Sequence, residues 1–194
     1  MAQLNKKESS AGSNSGRAFS TRLFPALPSL RAHLAFWPLM AGGLLLDLWS
    51  KSAIFGWLQQ QHRDSFTIID GFLQLVLARN AGAAFGIAAG QTQLLVVVSA
   101  IALIVIFAIF FFSKTEHALV NAALGLFAAG VCGNLWDRVF NGGLVRDFID
   151  VYYRSYHWPA FNLADSMLCV GVGLLIISSL FTERSCRRRA QQHK

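Results

Sequence analysis

The sequence predicts an all-α membrane protein: four transmembrane helices with a small β hairpin on the outer face. Three observations predict it. Of 194 residues, 54% are apolar and only 14% charged, against about 25% charged in ordinary globular domains. The apolar residues gather in four runs, each near the ~20 residues that a helix needs to cross a hydrocarbon core of ~30 Å. The Lys and Arg residues concentrate before the first run and after the last, the pattern that holds both ends of a chain on the cytoplasmic side.

Residues 1–32 are rich in Ser, Gly, Lys and Arg with little apolar periodicity. Such a segment cannot bury enough apolar surface to offset its ordering entropy, so a disordered, basic cytoplasmic extension is expected. It does not read as a cleavable signal peptide, because the apolar run that follows is long and lacks a small-residue cleavage site. A membrane domain is expected over residues 33–182 and a basic cytoplasmic tail over 183–194. The first run, about 36–58, carries Asp47 and Lys51; the second, about 94–112, is nearly pure Leu, Val, Ile, Ala and Phe. The third, about 119–139, is rich in Ala and Gly, and the fourth covers about 161–181.

Charge sets the topology. Five basic residues precede the first run (Lys6, Lys7, Arg17, Arg22, Arg31) and five follow the last (Arg184, Arg187, Arg188, Arg189, Lys194). The two longer connections hold two each: Arg63 and Arg79, then Arg146 and Arg154. Both termini and the short 113–117 turn with Lys114 are therefore placed in the cytoplasm, and connections 59–93 and 140–160 outside. The net charge of +7 belongs to membrane flanks that attract anionic lipid. No aromatic-interleaved basic platform accompanies it, so no nucleic-acid partner is expected. Cys132, Cys169 and Cys186 form no CxxC pair, and His33, His62, His117, His157 and His193 are scattered with no HExxH. Neither a disulfide framework nor a metal or other cofactor is expected.

The first outer connection is too long for a tether. Its strand formers, Phe66–Ile69 and Phe72–Leu77, flank Asp70-Gly71 and predict a hairpin near the membrane surface. The segment Asn80-Ala81-Gly82-Ala83-Ala84-Phe85-Gly86 follows, and its small residues permit a tight turn with close backbone approach.

The polar residues within the spans carry the chemistry. Asp47 and Lys51 share one helix face, about 6 Å apart along the axis. Each alone costs about 2.5–3.5 kcal/mol at the bilayer centre on insertion scales, and pairing offsets part of that. The pair either orients the first helix or supports a site above it. Asn134 and Arg138 repeat the spacing near the outer end of the third span. Arg138 either anchors a carboxylate from elsewhere or marks the interface, while Asp137 points about 100° away on the helix.

Asp147 lies beyond the outer end of span three, and Asp165 about one turn into span four from the same side. Both fall near one membrane depth. Two carboxylates held close cannot both ionise cheaply, so one takes a proton. Such a pair offers a base to activate water and an acid to protonate a leaving amine. Asp147 could also be a solvated loop residue; Asp165, in an apolar helix, needs a partner.

Five blocks occur in order: Asp47-Leu-Trp-Ser50-Lys51, Asn80-Ala-Gly82-Ala83-Ala84-Phe85-Gly86, Gly133-Asn134-Leu-Trp-Asp137-Arg138, Val145-Arg-Asp147-Phe148 and Phe161-Asn162-Leu-Ala164-Asp165. Together, over about residues 36–181, they resemble the bacterial lipoprotein signal peptidase family, also called signal peptidase II. The resemblance implies a four-helix, inner-membrane aspartyl endopeptidase with an outer β-cradle and its active site at the periplasmic face. It implies removal of signal peptides from prolipoproteins, on the amino side of a diacylglyceryl-modified cysteine, with membrane lipid as the other partner. It implies Asp147 and Asp165 as the catalytic dyad. Asn80, Gly82, Asn134, Arg138 and Asn162 match residues that line and support the site, and Asp47 and Lys51 match the first-helix motif, read as structural support. A monomer is expected. The N-terminal extension and basic tail depart from the family pattern without touching a motif.

Other classes fit less well. A transporter or channel using intramembrane charges would be expected to show broken helices in matching halves, and none is evident in these four spans. A non-catalytic scaffold makes all five blocks coincidental. A Ser50/Lys51 peptidase needs two neighbours that diverge by about 100° on the helix to meet.

Overall fold

The computed structural model describes residues 27–83, 88–113 and 115–192, with side chains as far as Phe181. Helix α1 covers Leu30–Gln60, α2 Thr92–Phe112, α3 Ala118–Phe140 and α4 Leu163–Gln192. All four, α4 over Leu163–Phe181, are long and apolar enough to cross a membrane. The chain is a multi-pass membrane protein.

The first three expected spans lie inside their helices; the fourth, about 161–181, begins two residues before its helix does, at Leu163. Helix α1 starts at Leu30 because Ser29 caps it, its side chain accepting from the Ala32 amide at 3.3 Å; a cap of this type satisfies one of the amides that a helix start leaves without a partner. Arg31, assigned by sequence to the extension, therefore sits in the first turn. Residues 1–26 of that extension lie outside the described residues. At the other end α4 runs on to Gln192, through a segment whose Arg, Ala and Gln content favours helix. The basic tail continues the fourth span rather than leaving it.

Helix α3 is central, packed against α1, α4 and α2. Its glycines explain the closeness. A Cβ at Gly125 would lie 2.5 Å from the Phe36 carbonyl oxygen, and one at Gly133 would collide with the Asp47 carboxylate. Small residues let membrane helices approach where lipid gives no hydrophobic drive to associate. A core of Phe36, Ile106, Phe110, Leu124 and Ala128 fills the end nearer the chain termini, with the Phe36 and Phe110 rings stacked at 4.1 Å. Leu45, Trp49, Ile101, Ile104 and Ile176 are exposed, as side chains facing lipid should be.

Four antiparallel strands lie in the order β1-β2-β3-β4: Ser65–Ile69, Leu73–Asn80, Val145–Tyr153 and Tyr156–His157. The first two form the expected hairpin, turning at Gly71 with φ +72°. The second two lie in a connection the residue pattern left as a loop. Strand β3 is rich in β-branched and aromatic residues, but Arg146, Asp147 and Asp150 interrupt its apolar alternation. Its pairing with β2 sets Ala78 opposite Asp147 and Asn80 opposite Val145, which carries Asp147 back towards the helices.

Candidate active site

Four elements converge: the middle of α1, the last turns of α3, the start of β3 and the first turn of α4. In α1 the Lys51 ammonium lies 2.7 Å from Asp47 Oδ2, and both side chains are fully buried. Lys51 Nζ also donates to Asn134 Oδ1 at 3.0 Å and lies 3.6 Å from Asp137 Oδ2. Asp47 Oδ1 accepts from the Ala164 amide at 2.9 Å. The pair thus does more than orient its own helix: it ties α3 and the start of α4 to α1. Ser50 donates to the Asp47 backbone carbonyl at 3.0 Å while Lys51 holds the Asp47 carboxylate and Asn134, so each is committed elsewhere and the two do not bond each other.

Asn162 precedes α4 and caps it reciprocally with Asp165. The Asp165 amide donates to Asn162 Oδ1, and the Asn162 amide to Asp165 Oδ2, each at 3.1 Å. This is the capping-box arrangement, with Asp in place of the usual Glu or Gln. The Asn162 oxygen is thereby committed, so its amide nitrogen faces the other way. It donates to Asp147 Oδ1 at 2.6 Å and to Asn134 Oδ1 at 3.1 Å. Asn134 Oδ1, receiving both Lys51 and Asn162, turns its own nitrogen to Asp165 Oδ1 at 2.8 Å. The hydrogen-bond directions are fixed from Lys51 through to both aspartates.

Asp147 and Asp165 therefore sit on either side of one residue, Asn162. Their surroundings differ. Asp147 is 2% exposed and Asp165 half-buried. Burial, and then the negative charge of Asp165, push the Asp147 carboxyl up from 3.8 to about 6. Hydrogen bonds from Asn162 and Asn80 and the Lys51 charge hold it from rising further.

Among the described residues Arg138 forms no direct ion pair with a carboxylate. Its Nη2 donates to the Gly82 carbonyl at 2.8 Å and its Nη1 to the Asn134 carbonyl at 3.3 Å. Gly82 is also held by Asn80, whose Oδ1 accepts from the Gly82 amide at 2.8 Å, an Asx-type turn. Asn80, Gly82 and Arg138 thus fix the chain leaving β2 beside the aspartates. Ala84, Phe85 and Gly86 of the same block lie outside the described residues.

Two further acids take part in ways that the residue pattern does not assign. Asp137, fully buried, is gripped by Arg146. Asp150, 5% exposed, accepts from Gln74 at 2.6 Å and meets His157 Nδ1 at 2.8 Å. Both depend on where β3 runs, which no local pattern had shown. Among the described residues no group of three His, Cys, Asp or Glu side chains is placed to hold a metal ion.

Comparison with known proteins gives a consistent picture. The family model described as signal peptidase (SPase) II matches residues 39–181. The lipoprotein signal peptidase of Halalkalibacterium halodurans is 40% identical over 150 residues, covering 75% of this chain and 91% of that protein. That of Geobacter sulfurreducens is 42% identical over 146 residues, covering 74% and 89%. Among solved structures, a bacterial membrane enzyme determined by the in meso method at 2.3 Å resolution is similar at a TM-score of 0.66 and 31% identity, over 81% of this chain and 92% of that one.

Proposed function

We infer the function from two facts: this chain belongs to the signal peptidase II family, and Asp147 and Asp165 converge on Asn162. It is a membrane peptidase that removes signal peptides from prolipoproteins. Its chemistry is that of an aspartyl endopeptidase, cutting on the amino side of a diacylglyceryl-modified cysteine. The observation that carries the mechanism is the difference in burial between two carboxyls joined through Asn162. Asp165 accepts on both oxygens, from Asn134 and from its capping partner, and is only half-buried, so water can reach it. Asp147 is the more buried of the two and holds its proton more tightly than an ordinary Asp.

Asp165 is accordingly the base and Asp147 the acid. Asp165 takes a proton from water as the water oxygen bonds to the scissile carbonyl carbon. The tetrahedral intermediate then collapses, the C–N bond breaks, and Asp147 gives its proton to the departing nitrogen. Asp165 ends protonated and Asp147 ionised, and proton exchange with solvent resets the pair. Arg138, Asn80 and Gly82 keep the outer loop against the site, where the substrate backbone would lie. The substrate's lipid chains stay in the bilayer and set the depth of the scissile bond, which suits a dyad at a helix end rather than mid-membrane.

The basic flanks support an inner-membrane orientation with both termini cytoplasmic and the site on the periplasmic face. The peptidase domain takes in all of α1 from Leu30 and runs to about residue 182, with the segments before and after it as cytoplasmic appendages. Every residue of the proposed site comes from one chain, so a monomer suffices. The transporter reading is not favoured, since Asp47, Lys51 and Asp137 bind one another instead of forming a relay across the bilayer.

The test is cleavage of a lipidated precursor by purified Asp147→Asn and Asp165→Asn proteins. Each should lose activity by roughly 10²–10⁴-fold, and full cleavage by either would overturn the dyad.

A further inference from the structure

Arg146 stands immediately before Asp147, at the start of β3, and makes more contacts than a loop residue needs. Its backbone amide donates to Asp137 Oδ2 at 2.9 Å. Its guanidinium reaches the same carboxylate, Nε to Oδ1 at 3.1 Å and Nη2 to Oδ1 at 2.7 Å. The remaining nitrogen, Nη1, donates to Ser52 Oγ on α1 at 3.2 Å. One side chain thus joins α1, the last turn of α3 and the first residues of β3. Asp137 is fully buried and Arg146 18% exposed, so the fork is largely shielded from water and salt. A planar fork on a carboxylate fixes direction as well as distance.

We propose that Arg146 is a positioning residue for the cleavage reaction: through Asp137 it fixes the start of β3, and so the place of the Asp147 carboxyl relative to Asp165. A second consequence follows from Lys51, which lies 3.6 Å from Asp137 Oδ2 and donates to Asn134. With Arg146 in place, Asp137 is already satisfied and Lys51 is free to hold Asn134 against Asp165. Without Arg146, the buried Asp137 carboxylate competes for Lys51, and the Asn134 contact to Asp165 loosens. Arg146 therefore bears on both halves of the pair, one through the backbone and one through the charge balance.

This inference rests on Asp147 and Asp165 being the catalytic pair, and its test keeps the two apart. Purified Arg146→Met, Asp137→Asn, their combination, Arg146→Lys and Asp147→Asn are assayed on a lipidated precursor, with thermal unfolding followed in the same detergent. Arg146→Met should lower kcat by roughly 10–100-fold, the scale of a misplacement near 1 Å, with KM changed by less than about twofold. In the Asp137→Asn background the same substitution should cost under about threefold more, since residues acting through one contact are not additive. Arg146→Lys keeps the charge but loses the fork; it should fold as wild type and still lose several-fold in kcat, which keeps the test open if Arg146→Met does not fold. Unchanged kcat in folded Arg146→Met or Arg146→Lys overturns the proposal. So does a multiplicative double mutant, or an effect confined to KM. An active Asp147→Asn protein instead overturns the dyad reading beneath it, whatever the Arg146 variants do.

Discussion

Asp147→Asn is expected to remove cleavage and, at neutral pH, to relieve the fold of a cost. The Asp147 carboxyl is raised from 3.8 to about 6, first by burial and then by the Asp165 charge. A carboxyl raised in the folded state binds its proton more tightly there than in the unfolded chain. Wild-type stability from this group is therefore full below about pH 4 and falls as pH rises through 6. A shift of about two units corresponds to roughly 3 kcal/mol, and with the side chain only 2% exposed little of it is screened. The substituted Asn does not titrate. Its stability relative to wild type should thus improve by roughly 2–3 kcal/mol between pH 4 and pH 8. The absolute difference at any one pH also contains the effect of an amide nitrogen facing Asn80, which hydrogen-bonds the native carboxylate. That contribution is constant with pH, so the slope reads the Asp147 carboxyl together with its coupling to Asp165. Thermal unfolding of both proteins in one detergent, at intervals from pH 4 to 8, measures it. A difference that stays flat across this range, or grows towards low pH, would refute the burial argument even if the variant were inactive.

Three further outcomes follow from the same contacts. Lys51→Met leaves the Asp47 carboxylate buried without its cation; losing one partner of such a pair costs roughly 3–5 kcal/mol, and Asp47→Asn added to it should restore part of the melting temperature. Because the Lys51 charge also restrains the Asp147 carboxyl, the alkaline limb of the Lys51→Met activity profile, where the proposed acid loses its proton, should move to higher pH. Gly133→Ala drives a Cβ into the Asp47 carboxylate and should cost roughly 1–3 kcal/mol by overpacking, seen as a lower melting temperature. Asn162→Ala removes the α4 cap, worth about 1 kcal/mol; since the same side chain reaches Asp147 and Asn134, its loss of kcat should far exceed that modest loss of stability.

The spans were legible because a bilayer imposes length and apolarity directly on the sequence. Their ends were less so. Ser29 and the helix-forming tail after Phe181 extend α1 and α4 by local capping and propensity, signals that hydropathy does not register. The Asp47–Lys51 pair was readable from its spacing, and it meets as the spacing requires. Arg138 was readable as important but not as the holder of the Gly82 carbonyl, because nothing local says which loop returns to it. Strand β3 was the chief omission. Its charged residues, which broke the alternation that marks a strand, are the ones that serve the site: Asp147 reaches Asn162, Arg146 reaches Asp137, and Asp150 reaches Gln74.

The difference between the two aspartates traces to the elements that carry them. Asp165 stands in the first turn of α4, where backbone amides lack helical partners and invite a carboxylate. Asn162 and Asn134 complete its donors, and it is only half-buried, as the proposed base must be to meet water. Asp147 stands on a strand whose own amides are taken up by pairing, as with Phe148 and Ile149 donating to the Phe161 carbonyl. It has side-chain amides for partners, no helix start, and almost no exposure, conditions that favour holding a proton. A strand meeting a helix start across one asparagine gives two identical side chains different surroundings, which is the basis of the proposed division into acid and base, and Lys51 sets the direction of the amide chain between them.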